Sequence, residues 1–168
     1  MCIRDRLLVM ALKGVPAFYL PALLASENDI KSFSMTGQRR DLNREKFKSE
    51  NLSAVLNNPE SNANKNLKYL RNAMDVRSEL KQFHPCSQMK CLSKGRSDIV
   101  VIKRGKGPES VFAIHNMTEN KINYQLNDND LPKKIDNDFN THDFLTSTKY
   151  NCKNISLDPF QVIWLSTL

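Results

Sequence analysis

The sequence predicts an α/β segment followed by an all-β domain, and three observations carry that reading. An apolar helical stretch over residues 7–13 stops at Gly14 and runs into a second apolar stretch, residues 15–20, with no polar alternation. Leu67, Leu70, Met74, Leu80 and Phe83 recur at helical gaps and end before Pro85. From about residue 88 the texture changes to short apolar runs around Gly105-Lys106-Gly107-Pro108.

Taken in order, the first element is a helix over residues 7–13, with Gly14 in the role of a C-terminal glycine cap. Residues 15–20 (VPAFYL) then read as a strand buried on both faces, as in a parallel sheet covered by helices. A helix feeding a strand through a short turn is the αβ step of an α/β fold. Residues 21–48 form a connection too long for an ordinary loop, and long loops in compact domains tend to carry function. This one offers Asn28, Asp29, Thr36, Gln38, Arg39, Arg40, Asp41, Asn43 and Arg44 to a polar ligand, with Asn28 and Asp29 favoured to fix the loop by side-chain to backbone hydrogen bonds.

Ser49 is placed to cap a helix over residues 50–57, which ends before Pro59, and Ser61 or Asn62 a longer one over 63–82. The Leu/Met stripe of the longer helix reads as core, with Lys65, Lys68, Arg71 and Lys81 largely off it. Residues 98–104 and 109–115 flank the glycines as a hairpin, and 121–126 and 160–166 are further strands. The polar, Asn/Asp-rich stretch 127–142 reads as a loop.

Composition bounds the function. The chain has 168 residues, 40% hydrophobic and 26% charged, which excludes global disorder. Its net charge of +7 is uneven: residues 1–97 carry 17 basic and 9 acidic groups, residues 98–168 carry 8 and 9. Such a break suggests two units with different work. Residues 1–6 (MCIRDR) place three charges before an apolar run without a cap, resemble an assembly scar, and are set aside from the fold. Lys13-Gly14, Pro16 and Pro21 interrupt the apolar N-terminal region before the roughly 18 residues of a membrane span accumulate. Ala22 and Ala25 do not form a small-x-small cleavage site. The expectation is a cytoplasmic protein with no membrane partner.

Cys2, Cys86, Cys91 and Cys152 contain no CxxC pair, and His84, Cys86, Cys91 and Cys152 match no common zinc spacing. They read as reduced thiols, with no metal and no cofactor. A nucleic-acid partner would call for a basic stripe interleaved with aromatics, whereas residues 31–48 hold only Phe33 and Phe47, so none is expected. A non-catalytic carbohydrate-binding β-domain would call for exposed aromatic platforms, whereas Trp164 lies in an apolar run.

An ordered set of short motifs adds a family. Gly14-Val15-Pro16-Ala17-Phe18-Tyr19, Asn28-Asp29 and Arg40-Asp41-Leu42-Asn43-Arg44 resemble the last barrel strand and following loop of the sucrose phosphorylase branch of the α-amylase superfamily. Phe83-His84-Pro85, the run from Ser110 to Asn116, Asp143-Phe144-Leu145-Thr146, and the run from Leu157 to Leu165 are similar to the later elements of that branch, in the same order.

The resemblance implies the last strand and helices of a truncated (β/α)8 barrel over residues 7–87, then a small antiparallel β-sandwich-like C-terminal domain over 88–168. It implies a retaining enzyme that moves an α-glucosyl unit from sucrose or a related α-glucoside to phosphate, with phosphate as co-substrate and no cofactor. The Asp nucleophile, the Glu acid/base and a third Asp belong to earlier strands, before residue 7, so the 168-residue piece is expected to be inactive alone. Arg44 is the implied glucosyl-binding residue, with Arg40 and Asp29 as weaker candidates. Arg39, Arg40 and Lys31 would raise the potential for an anionic acceptor. A hydrolase or transglycosylase of the same superfamily remains the alternative.

Overall fold

The computed structural model describes residues 3–43, 47–93, 95–127 and 140–166. It divides into two compact units, residues 17–72 and residues 4–16 with 73–168.

In the first unit, α2 (Leu20–Leu23), α3 (Ile30–Thr36), a 3-10 turn (Arg39–Asn43) and α4 (Ser49–Asn57) precede α5 (Asn62–Glu79). The long connection is therefore mostly short helices. Side chains close their ends. Ser61 Oγ donates to Val55 O at 2.7 Å and accepts from Asn64 N at 3.1 Å, ending α4 and capping α5 with one hydroxyl. Asn66 Nδ2 donates to Ala22 O and Leu23 O at 3.2 and 2.6 Å, satisfying the last carbonyls of α2. Ser49 is not a cap: Lys48 holds that position and makes no side-chain cap bond.

The second unit begins with α1 (Ile3–Ala11), which includes residues 3–6 that the sequence reading set aside. Gly14 takes φ +115, but arginines close this helix. Arg77 donates Nε–H to Met10 O and Nη2–H to Gly14 O, both at 2.9 Å. Arg104 donates Nη1–H to Ala11 O and Leu12 O at 2.9 and 2.6 Å, and Nη2–H to His84 O at 2.9 Å. Both guanidiniums lie over Phe83, 5.7 and 5.6 Å from its ring centre. The negative end of the helix dipole supplies the charge complement. Burial lowers both arginine pKa values, and the charge of Arg77 lowers that of Arg104 further.

The expected strand over residues 15–20 does not form. Residues 15–19 carry no regular structure, and Val15 and Tyr19 are 81% and 54% exposed. A strand is defined by its hydrogen-bonded neighbours. Among the described residues no strand pairs with this segment. Its apolar run is the right composition without the partners.

The β-domain has β1 (Met89–Cys91), β2 (Ile99–Arg104), β3 (Val111–Asn116), β4 (Ile122–Tyr124), β5 (Asn140–Asp143), β6 (Lys149–Asn151), β7 (Ile155–Leu157) and β8 (Val162–Ser166). A six-stranded antiparallel sheet runs in the order β1-β2-β3-β8-β5-β6, and β4 pairs with β7 in a second sheet. Period-2 alternation sorts the central strands onto two faces. Ile99, Val101, Phe112, Ile114, Ile163 and Leu165 join Leu126, Cys152, Ile155 and Leu157 in one core between the sheets. On the opposite face Trp164 meets Phe83, ring centres 4.7 Å apart. This is the antiparallel, sandwich-like domain that the short runs predict.

The hairpin β2–β3 forms in register Arg104↔Val111. Gly105 takes φ +85, and a Cβ there would stand 2.9 Å from Gln82 Cγ, so both the turn and the close approach call for glycine. Asp143 terminates β5 as a staple: its carboxylate accepts from Trp164 N at 2.7 Å, Leu145 N at 3.2 Å and Thr146 Oγ1 at 2.7 Å.

Candidate substrate-binding loop

Asp29 organises the loop. Its carboxylate caps α3, accepting from Ser32 N at 2.9 Å and Ser32 Oγ at 2.6 Å. Its own N–H donates to Leu42 O at 2.8 Å, bringing the two ends of the 29–42 stretch together. Between them, Gly37 ends α3 in the left-handed region at φ +65. Thr36 Oγ1 donates to Asp41 Oδ2 at 2.6 Å, fixing the 3-10 turn that follows. The side-chain to backbone bond expected of Asp29 forms at Ser32 N, and the bond of its own N–H to Leu42 O makes it the clasp of a closed loop.

Beside this clasp lies a cleft of about 830 Å³, lined by Leu24, Asp29, Lys31, Phe47, Lys48 and Leu52 among others. Asn28 also lines it. Its lining mixes apolar and polar side chains, and its volume suits a small ligand. Arg39 and Arg40 are exposed on the 3-10 turn and do not belong to the lining. The structure thus brings Asp29 and Lys31 together and leaves Arg39 and Arg40 out. Arg44 lies outside the described residues, as do Glu45 and Lys46. Phe47, Lys48 and Leu52 were missed by sequence reasoning. Their signal was an apolar pair, Phe47 and Leu52, separated by polar residues at a helix start.

Among the described residues no three His, Cys, Asp or Glu side chains come together as a metal site. No described helix is long and apolar enough to cross a membrane. Cys86 and Cys91 are free, exposed thiols, and Cys152 is buried.

Comparison with known proteins supplies the family. Glucosylglycerate phosphorylase of Allomeiothermus silvanus is 32% identical over 112 residues, 67% of this chain and 20% of that protein. Glucosylglycerate phosphorylase of Escherichia coli is 20% identical over 158 residues, 94% of this chain and 26% of that protein. Trehalose-6-phosphate hydrolase of Bacillus licheniformis shares the fold with a TM-score of 0.71 at 16% identity, over 97% of this chain and 38% of that one. An Anoxybacillus α-amylase does so with a TM-score of 0.67 at 14% identity, over 97% and 31%.

The chain belongs to the α-amylase superfamily. No family model matches it. The phosphorylase likeness read from the ordered motifs is borne out by the curated relatives, which are named for glucosylglycerate and not for sucrose. The chain spans between 20% and 26% of the length of those relatives. Helices followed by an antiparallel β-domain are the fold that this superfamily membership implies.

Proposed function

We propose that this chain is the C-terminal part of a retaining, cytoplasmic sugar phosphorylase that transfers an α-glucosyl unit from an α-glucoside to inorganic phosphate. The observation that carries the proposal is the 32% identity to a glucosylglycerate phosphorylase over 67% of the chain. Motif order agrees: the Asn43-Arg44 pair follows the Gly14–Tyr19 stretch as in the phosphorylases it resembles. Relatives named for glucosylglycerate make a glucoside of glycerate the first donor to test, with sucrose second.

In this reading Arg44 contacts the transferred glucosyl unit. A guanidinium presents fixed donors to sugar hydroxyls and can hold a neighbouring carboxylate in a bidentate pair. Asp29 keeps the loop closed through Leu42, and the adjoining cleft carries Glu27, Asp29, Lys31 and Lys48, a balanced set of charges. Retention needs two carboxyl groups about 5–5.5 Å apart, a nucleophile and an acid/base. The family resemblance assigns both to segments before residue 7, so residues 1–168 alone transfer no glucose.

The test is product analysis with phosphate present. A complete polypeptide carrying this segment should release glucose 1-phosphate from a glucosyl donor, and residues 1–168 alone should release none. Free glucose as the product would establish the hydrolase alternative. Turnover by residues 1–168 that survives repurification would overturn the division of labour.

A further inference from the structure

The cleft beside the loop lies wholly within the first unit. The end of α2, the start of α3, one side of α4 and the start of α5 build it. Leu24, Phe47, Leu52 and Val55 give it apolar surface, and Val55 is 44% exposed. Its charges cancel: Glu27 and Asp29 stand against Lys31 and Lys48, while Arg39 and Arg40 lie outside the lining. So balanced a lining offers no net attraction to an anion or to a cation.

What it offers is hydrogen bonding beside apolar surface. Ser26 belongs to the lining, and its Oγ is shut off from water without a hydrogen-bond partner. An unpaired buried hydroxyl is a cost to the fold and calls for an explanation. A turn about χ1, from one staggered position to another, is the least movement that lets a ligand meet it. Asn28, Asn51 and Asn62 are exposed at the cleft and make no side-chain hydrogen bond among the described residues. Each carries two donors and an acceptor, which suits hydroxyls that both donate and accept.

We infer that this cleft binds an uncharged polyol with one apolar face, the chemistry of a pyranoside. The C–H face of the ring lies on Phe47, Leu52 and Val55, and its hydroxyls meet Ser26 Oγ and the three carboxamides. The inference stands on the lining alone. It needs neither Arg44 nor any upstream carboxylate, and it holds whether or not the parent is a phosphorylase.

Saturation-transfer difference NMR on residues 1–168 tests it, because ligand-observed signals do not depend on the protein being monomeric. The probes are methyl α-D-glucopyranoside, glucose 1-phosphate and cyclohexanol. The glucoside should receive saturation. Glucose 1-phosphate should do no better for its added charge, and cyclohexanol, with one hydroxyl, should be weaker. Ser26→Ala should weaken glucoside binding by about fivefold without lowering the melting temperature, because the hydroxyl it removes has no partner to lose. Val55→Trp, from the exposed side of α4, should fill the cleft and abolish saturation. Lys106→Ala, exposed between β2 and β3, should bind as the parent does. No saturation of the glucoside, a stronger response from glucose 1-phosphate, or parent-like binding by Val55→Trp would each overturn the inference. So would equal loss in Lys106→Ala, or a melting temperature lowered by Ser26→Ala, which would assign that hydroxyl to the fold.

Discussion

Arg104 Nη1 donates to the carbonyl oxygen of Ala11 at 2.9 Å, across 93 residues of chain. The same nitrogen reaches Leu12 O, and Nη2 reaches His84 O, so one buried side chain from β2 serves three carbonyls. The end of α1 is thus closed by the β-domain and by Arg77 of α5.

Arg104→Met keeps an apolar stem but removes the guanidinium over Phe83 and strands those carbonyls. A loss of about 2–4 kcal/mol follows from leaving buried acceptors unsatisfied. The expected drop in Tm is roughly 5–15 °C, read by thermal unfolding. Arg104→Lys should recover little, since one ammonium does not span three acceptors held in a fork. A variant as stable as the parent would show that the clasp contributes nothing.

His115 gives a pH dependence with a definite sign. It is fully buried on β3, and burial, aided by the charge of Arg4, lowers its pKa from 6.5 to about 3. A folded value below the unfolded one means that stability is complete above 6.5 and is lost as pH falls toward 3. The slope is at most about 1.4 kcal/mol per pH unit for one proton. Urea unfolding of His115→Phe at pH 7 and pH 4 should therefore show a smaller fall than the parent; equal falls would assign acid sensitivity elsewhere.

Asp143 acts in the opposite sense. Burial raises its pKa above 3.8, against the pull of donors from Thr146, Trp164 and Leu145. A carboxyl raised in the fold contributes most below 3.8 and less as pH climbs through its folded value. Asp143→Asn should gain on the parent as pH rises over that window, in paired urea titrations. Asp143→Ala strands two backbone donors and should cost about 2–4 kcal/mol at any pH.

Exposed apolar side chains predict association. Val15, Met35 and Ile30 are 81%, 81% and 66% exposed, and Tyr19 and Leu20 are 54% and 51% exposed. Surfaces of this kind promote self-association or partner capture. Analytical ultracentrifugation of residues 1–168 should find oligomers or aggregates; a monodisperse monomer with a cooperative melt would contradict this.

Legibility in the sequence followed element length. Helix α5 declared itself by Leu67, Leu70 and Met74, although Leu80 and Phe83 of the same stripe fall beyond its end at Glu79, and hairpin β2–β3 by two six-residue strands around glycines. Strands β1, β6 and β7 hold three residues each, too few for alternation to register, whereas β4, equally short, sat inside the longer strand-like run 121–126. Residues 15–20 showed the reverse failure, a strand-like run without hydrogen-bonding partners. Arg104 ends an apolar strand beside Lys103, and nothing local marked it as the buried one of the two. At the site, Asp29 was legible as a residue that fixes the loop by a side-chain to backbone bond, but the helix it caps and its own N–H bond to Leu42 belong to geometry.

The central claim is that this segment supplies Arg44 to the glucosyl pocket of a phosphorylase. The most direct measurement is kcat/KM for phosphorolysis at subsaturating donor, in a complete polypeptide carrying this segment, with folding checked by Tm. Arg44→Ala should lower it by about 30- to 1000-fold, the equivalent of losing roughly 2–4 kcal/mol of charged hydrogen bonding. Arg39→Ala, from the exposed 3-10 turn, should stay within about threefold, a loss below 1 kcal/mol. Parent-like activity in Arg44→Ala together with loss in Arg39→Ala would contradict the assignment.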